Sequence, residues 1–73
     1  MKIEILLKQI RIEKGYSLEQ LSRITGVSSS HLNYIEKNQK EPTLSVLIRI
    51  SQALNVKIEE LYRIKPWKIS YIK

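Results

Sequence analysis

Several residue types are absent or scarce in this chain. It contains no cysteine and no aspartate, one histidine and two glycines. The lack of cysteine excludes a disulfide framework and a thiolate metal site, and a single histidine supplies too few ligands for another kind of metal site. No Ser-His-Asp triad is possible without aspartate, and two widely separated glycines form no phosphate-binding loop. We therefore expect no enzyme, no bound metal and no cofactor.

Long hydrophobic runs are also missing. Charged residues such as Lys8 and Arg49 interrupt the apolar stretches, so that no segment approaches the ~20 apolar residues of a membrane span. The first residues lack the apolar segment and cleavage site of a signal peptide. We expect a cytoplasmic, nucleoid-associated protein with no membrane partner, and no small-molecule substrate is evident.

Positive charge is what the chain has in excess. Thirteen lysines and arginines against seven acidic residues give a formal net charge of +6. This balance favours a polyanionic partner, nucleic acid before an anionic membrane. Because 42% of the 73 residues are hydrophobic, one packed domain is expected rather than disorder.

The segment from Leu18 to Ile35 is the most informative. It fits two short amphipathic helices joined by a turn at Gly26, with the small Ser22 four positions before the glycine. Two helices that cross at about 90–120° need a small residue where they touch, and glycine adopts a positive φ at little cost. The pattern predicts a helix-turn-helix whose second helix presents a polar face to a DNA major groove.

Periodicity and capping residues predict an all-α fold, a compact five-helix domain at residues 1–62 with a short C-terminal extension at 63–73. The predicted helices span about residues 2–14, 18–25, 28–37, 44–54 and 58–62. Ser17, Ser28 and Thr43 are the expected N-caps of helices two, three and four, and Asn38 is a left-handed terminator.

The same periodicity predicts the inward-facing side chains, which are Ile3, Leu7, Ile10, Leu21, Ile24, Leu32, Ile35, Leu44, Leu47, Ile48, Leu54 and Leu61. Residues 67–72 alternate between apolar and polar and predict a short strand. That strand would either support dimerisation or close the core, and the alternative is a lysine-rich flexible end.

A set of positions between residues 3 and 62 matches a known pattern: Leu7, Arg11, Lys14-Gly15, Ser17, Leu21, Gly26-Val27-Ser28, Leu32, Ile35-Glu36, Pro42, Leu44, Leu47, Ala53-Leu54 and Leu61. In these residues the sequence resembles the lambda-repressor-like (Cro/repressor-type, XRE-family) helix-turn-helix transcriptional regulators. It departs from them at Leu18, where the family often has a phosphate-clamping glutamine, at Ser22, where alanine is usual, and at Asn38, which replaces a glycine. Backbone amides at the start of the second helix can still bind phosphate.

The resemblance implies which residues contact DNA. The exposed part of the third helix would approach base edges with Ser29, Ser30, Asn33 and Tyr34. Phosphates would be held by side chains or helix-start amides at Ser17, Leu18, Ser28, Lys37, Gln39, Lys40 and Thr43. Arg11 and Glu36 would form a structural salt bridge. Without DNA, the same residues are a solvated helix face, helix caps and ordinary surface lysines.

Two classes of function remain. The first is a sequence-specific DNA-binding transcriptional regulator, a repressor that binds a palindromic operator in double-stranded DNA as a homodimer through the helix at about 28–37. The second is a protein-interaction module of the same fold, such as an antitoxin or a bridging adaptor. Only the first should lose affinity steeply as salt is raised. RNA binding is disfavoured because the aromatic residues form no recognisable stacking platform.

Overall fold

The computed structural model describes residues 2–65. In chain order these form strand β1 (Lys2–Ile5), helices α1 (Leu7–Glu13), α2 (Leu18–Thr25), α3 (Ser29–Glu36) and α4 (Leu44–Leu54), a 3-10 helix (Ile58–Leu61) and strand β2 (Tyr62–Lys65). The described part therefore has four α-helices and a small two-stranded sheet, and the prediction of five α-helices is wrong. None of these helices is long and apolar enough to span a bilayer. The strand predicted at residues 67–72 lies outside the described residues.

The N-terminal segment is the main departure from the predicted fold. Residues 2–5 were expected to begin the first helix, but they form β1, which pairs antiparallel with β2 so that Ile3 faces Ile64 and Ile5 faces Tyr62. A short alternation of charged residues and isoleucine fits a strand as well as a helix start. The partner strand, which is distant in sequence, decides between the two. Residues 63–65, placed in the predicted C-terminal extension, lie in this sheet.

The two faces of the sheet differ in polarity. Glu4 and Arg63 lie opposite each other on one face, where the guanidinium donates two hydrogen bonds to the carboxylate and the Lys65 ammonium lies 3.5 Å from the same oxygen. The hydrogen bond from Arg63, with the positive charges of Arg63 and Lys65, holds the pKa of Glu4 below its ordinary value. Because this pair is largely exposed to solvent, it contributes little stability.

The predicted helix N-caps are confirmed. The Ser17 hydroxyl accepts a hydrogen bond from the Gln20 amide at 3.0 Å, and the Gln20 side chain accepts one from the Ser17 amide at 2.9 Å. This reciprocal capping box satisfies two donors. Ser28 and Thr43 cap α3 and α4 through the hydroxyl group alone, each accepting a hydrogen bond from the amide three positions on. Local sequence therefore sets where these three helices begin.

The core is aliphatic and is formed by Ile5, Leu7, Leu21, Val27, Leu32, Ile35, Ile50, Leu54 and Leu61. Full burial of one such side chain contributes roughly 1.5–3 kcal/mol. The side chains come from every element except β2, so that the core joins the sheet to the helices. Six of them were predicted to face inward, and Ile5, Val27 and Ile50 were not.

Four predicted core residues lie at the surface instead. Ile3 is 39% exposed, Ile24 is 54% exposed, Leu44 is 66% exposed and Ile48 is 41% exposed. Two of them belong to α4, which carries apolar residues around much of its circumference, so its periodicity does not determine which side is buried. Packing against α2 and the 3-10 helix selects the side that contains Ile50 and Leu54.

Asn38 ties the end of α3 to β1. Its backbone is left-handed, with φ of 59°, as predicted for a residue that ends a helix. The side-chain Oδ1 accepts a hydrogen bond from the Ile5 amide at 2.8 Å, and Nδ2 donates to the Ile5 carbonyl at 3.4 Å. Successive amides of a strand point in opposite directions, and the next amide, of Leu6, donates to the Leu61 carbonyl. Asn38 therefore satisfies the backbone amide and carbonyl of Ile5, which point away from β2.

Replacing Asn38 by glycine should reduce the free energy of unfolding by about 1 kcal/mol, because both side-chain hydrogen bonds are lost while the positive φ stays accessible. Urea unfolding measures the change, and faster hydrogen exchange of the Ile5 amide localises it. Asn55 is the matched control, since it ends α4 with φ of 56°. Equal losses for Asn38→Gly and Asn55→Gly would show that the tie to β1 adds no stability.

Candidate nucleic-acid interface

The turn between α2 and α3 is held by short-range hydrogen bonds. Gly26 has φ of 76°, and its amide donates to the Ser22 carbonyl at 2.8 Å. The buried Thr25 hydroxyl donates to the Leu21 carbonyl at 2.8 Å and accepts from the Val27 amide at 3.2 Å. These bonds satisfy the polar groups of the turn while Val27 enters the core, so that α3 is set at a defined angle to α2.

Helix α3 presents one side to the core and the other to solvent. Leu32 and Ile35 are fully buried. Ser30 and Tyr34 are exposed, and Ser29 and Asn33 are half-buried. The four residues predicted to read bases thus lie outside the core, and the polar side of α3 is not packed into the interior of the protein.

The amino-terminal ends of α2 and α3 meet at one open depression. It has a volume of about 420 Å³ and is lined by Leu18, Glu19, Ser29, Ser30 and Asn33. The structure therefore brings together three of the predicted base-reading residues and one of the predicted phosphate-binding residues. Helix amino ends expose unpaired amides and carry partial positive charge. A polyanion could therefore meet amides and hydroxyl groups at the same surface.

Tyr34 lies apart from this depression and beside the loop that follows α3. The Lys40 ammonium lies 5.9 Å from the centre of the Tyr34 ring, which is within range of a cation–π contact. Lys37 ends α3, and the Gln39 amide donates to the Tyr34 carbonyl at 2.9 Å. The exposed side chains of Lys37, Gln39 and Lys40 thus belong to the end of α3 and the loop after it and do not line the depression, and Thr43 follows at the start of α4.

Arg11 connects α1 to the end of α3. Its guanidinium donates to both oxygens of the Glu36 carboxylate, from Nε at 2.5 Å and from Nη2 at 3.1 Å, and Nη1 donates to the Tyr16 carbonyl at 2.8 Å. The Glu36 side chain is 3% exposed and the Arg11 side chain is 11% exposed. This pair orients α3 from its carboxyl-terminal end, opposite the depression.

Glu19 is the residue of this surface that sequence-based prediction missed. It is exposed and lies in the first turn of α2, where an acidic residue suits the helix dipole. Because this local role already accounts for a glutamate here, the residue type gives no indication that Glu19 lies next to Ser29, Ser30 and Asn33 of the following helix. Its place directly after Leu18, a position predicted to face phosphate, was the available signal.

Comparison with known proteins identifies the family. The helix-turn-helix family pattern matches residues 7–61. The transcriptional regulator SutR of Escherichia coli strain K12 is 46% identical over 50 residues, which cover 68% of this chain and 28% of SutR. The transcriptional regulator SinR of Bacillus subtilis strain 168 is 43% identical over 56 residues, which cover 75% of this chain and 50% of SinR. The chain thus spans half or less of these relatives.

A solved structure gives the same result. The N-terminal DNA-binding domain of SinR from Bacillus subtilis matches with a TM-score of 0.68 and 41% identity, over 73% of this chain and 78% of that one. The relatives and the fold are those of transcriptional regulators and not of enzymes. The chain therefore belongs to the XRE, or Cro/repressor-type, family of DNA-binding helix-turn-helix transcriptional regulators.

Proposed function

We propose that this protein is a sequence-specific transcriptional repressor that binds a palindromic operator as a homodimer and acts by occupying DNA in the cytoplasm. One observation carries the proposal: the amino-terminal ends of α2 and α3 share an open polar depression, while Leu32 and Ile35 hold α3 against the core. The polar side of α3 is thereby free to enter a major groove, which is wide enough to admit a helix.

The residues of the depression have complementary tasks in this proposal. Asn33 can make a bidentate pair with adenine, and Ser29 and Ser30 can donate to or accept from several bases. The amides that follow Ser17 and Ser28 face phosphates, which fix the position of α3 without reading sequence. Leu18 takes part through its backbone, because its side chain offers no hydrogen-bond donor.

The loop after α3 would hold the DNA backbone at a second point. Lys37, Gln39 and Lys40 are exposed beyond the end of α3, and the first amides of α4 follow Thr43. Contact between Lys40 and the Tyr34 ring restricts the ammonium before DNA arrives. In this arrangement Tyr34 contacts a base and also positions Lys40 for a phosphate.

A selection of bound duplexes from a random pool tests this function. We expect recovered sequences to share a short motif repeated with two-fold symmetry, at a half-site spacing of about one helical turn. Affinity for them should fall with salt at a log–log slope of about −0.9 for each phosphate contact. An adaptor or antitoxin of the same fold would enrich no motif and would bind its protein partner without that slope.

Self-association requires a surface, and the described residues contain an apolar one. An open depression of about 340 Å³ lies between the sheet and α4, lined by Ile3, Leu44, Leu47, Ile58, Tyr62 and Ile64. Leu44 and Ile64 are 66% and 51% exposed. A two-fold operator places a second copy of the chain nearby, and a two-fold interface joins the same patch on both copies. We assign this patch to the second copy.

Replacing Leu44 by glutamate should convert the dimer to a monomer, because a carboxylate would be buried without a partner in the interface. The acidic residue suits the first turn of α4, so folding should be retained. Sedimentation equilibrium measures the oligomeric state. Ile12→Glu is the control, since Ile12 is 57% exposed on α1 and outside the patch. The assignment fails if Leu44→Glu and Ile12→Glu dimerise equally well.

A further inference from the structure

We infer that Glu19 limits the affinity of this protein for DNA of any sequence, by placing a negative charge at the surface that meets phosphates. The inference rests on the proposed DNA-binding function and adds a residue that opposes binding. Glu19 lines the same open depression as Leu18, Ser29, Ser30 and Asn33. It is thus the carboxylate among the five side chains that surround the amino ends of α2 and α3.

Within the described part of the chain, the Glu19 carboxylate has no ion-pair partner, although it lies at the partly positive amino end of α2. Two other acidic residues are neutralised within the described part: Glu36 by Arg11, and Glu4 by Arg63 and Lys65. Among residues 3–65, Glu19 takes part in no ion pair and accepts no side-chain hydrogen bond. An exposed carboxylate in this position repels a nearby phosphate, and the repulsion is weakened by water, by salt and by the partial positive charge at the amino end of α2.

The effect should be independent of sequence. Phosphates are present at every position of a duplex, so a carboxylate beside them weakens specific and non-specific binding alike. In a chain with a net charge of +6, non-specific attraction to DNA is strong. A local negative charge lowers that attraction at the binding surface and leaves the positive charge elsewhere unchanged. Shorter residence on random DNA is the expected consequence.

Glu19→Gln tests the inference, and Glu59→Gln is its matched control. Both variants remove one negative charge from an exposed first-turn position, but Glu59 lies on the 3-10 helix that packs against α4 and β2. Glu19→Gln should bind a mixed-sequence duplex about fivefold more tightly at low salt, with a log–log salt slope steeper by up to about 0.9. Glu59→Gln should bind like the unmodified chain, and the ratio of operator to mixed-sequence affinity should be unchanged in both variants, because phosphates carry no sequence information.

Other outcomes overturn the inference. Equal affinities of Glu19→Gln and Glu59→Gln would show that the position of the charge is irrelevant. Weaker binding of Glu19→Gln, or a change confined to the operator, would make Glu19 a base-reading residue, because glutamate can accept from the cytosine amino group. If the unmodified chain binds neither duplex, the proposed function itself fails. Melting temperatures of both variants are measured as well, because a weakened helix-dipole interaction lowers the melting temperature, whereas a change at the DNA-binding surface alters affinity alone.

Discussion

Replacing Arg11 by alanine should lower the free energy of unfolding by about 3 kcal/mol. The substitution leaves the Glu36 carboxylate, which is 3% exposed, buried without its positive partner, and it removes the donor to the Tyr16 carbonyl. Loss of one member of a buried ion pair typically costs about 3–5 kcal/mol, a large fraction of the 5–15 kcal/mol that stabilises a typical domain. Urea unfolding at neutral pH measures the change.

Two variants show whether the unpaired charge is the cause. Arg11→Met combined with Glu36→Leu should regain most of the lost stability, because the buried carboxylate is removed together with its partner. Arg63→Ala breaks the exposed pair with Glu4 and should have little effect. If Arg11→Ala and Arg63→Ala were equally stable, the pair between α1 and α3 would not contribute to holding α3 in place.

The second large effect concerns sequence recognition. Asn33→Ala and Ser30→Ala should each reduce the difference in binding free energy between operator and random DNA. The expected reduction is about 1–3 kcal/mol for each base contact that the substitution removes. Both residues lie outside the core, so the fold should be retained. Competition binding with operator and mixed-sequence duplexes measures the discrimination, and circular dichroism verifies the helix content.

A matched serine substitution serves as the control for this prediction. Ser45 is exposed in the first turn of α4, as Ser30 is in the first turn of α3, but Ser45 is outside the depression. Ser45→Ala should leave discrimination unchanged. Full selectivity in both Asn33→Ala and Ser30→Ala would mean that the base-reading surface lies elsewhere on the protein. A uniform loss on all duplexes would instead make these residues phosphate contacts.

Local signals in the sequence were sufficient for the helix-turn-helix. The Ser17 and Ser28 hydroxyls accept hydrogen bonds from amides three residues away, and Gly26 has a positive φ because the turn that it forms between α2 and α3 requires one. Such interactions depend on neighbours along the chain and are therefore predictable from it. The ion pair of Arg11 and Glu36 joins distant residues, and it was anticipated through the resemblance to a family. The domain limit at residue 62 and the role of residues 67–72 stay predictions.

The sequence by itself determined where α2, α3 and α4 begin, how the turn at Gly26 is made, and which side of α3 is polar. Only the tertiary structure decided that residues 2–5 form a strand, that Ile50 rather than Leu44 or Ile48 is buried, and that Glu19 lies beside Asn33. The physical reason is the range of the interactions. Caps and turns are satisfied within a few residues, whereas strand pairing, the rotation of an apolar helix and the juxtaposition of two helix ends depend on distant partners.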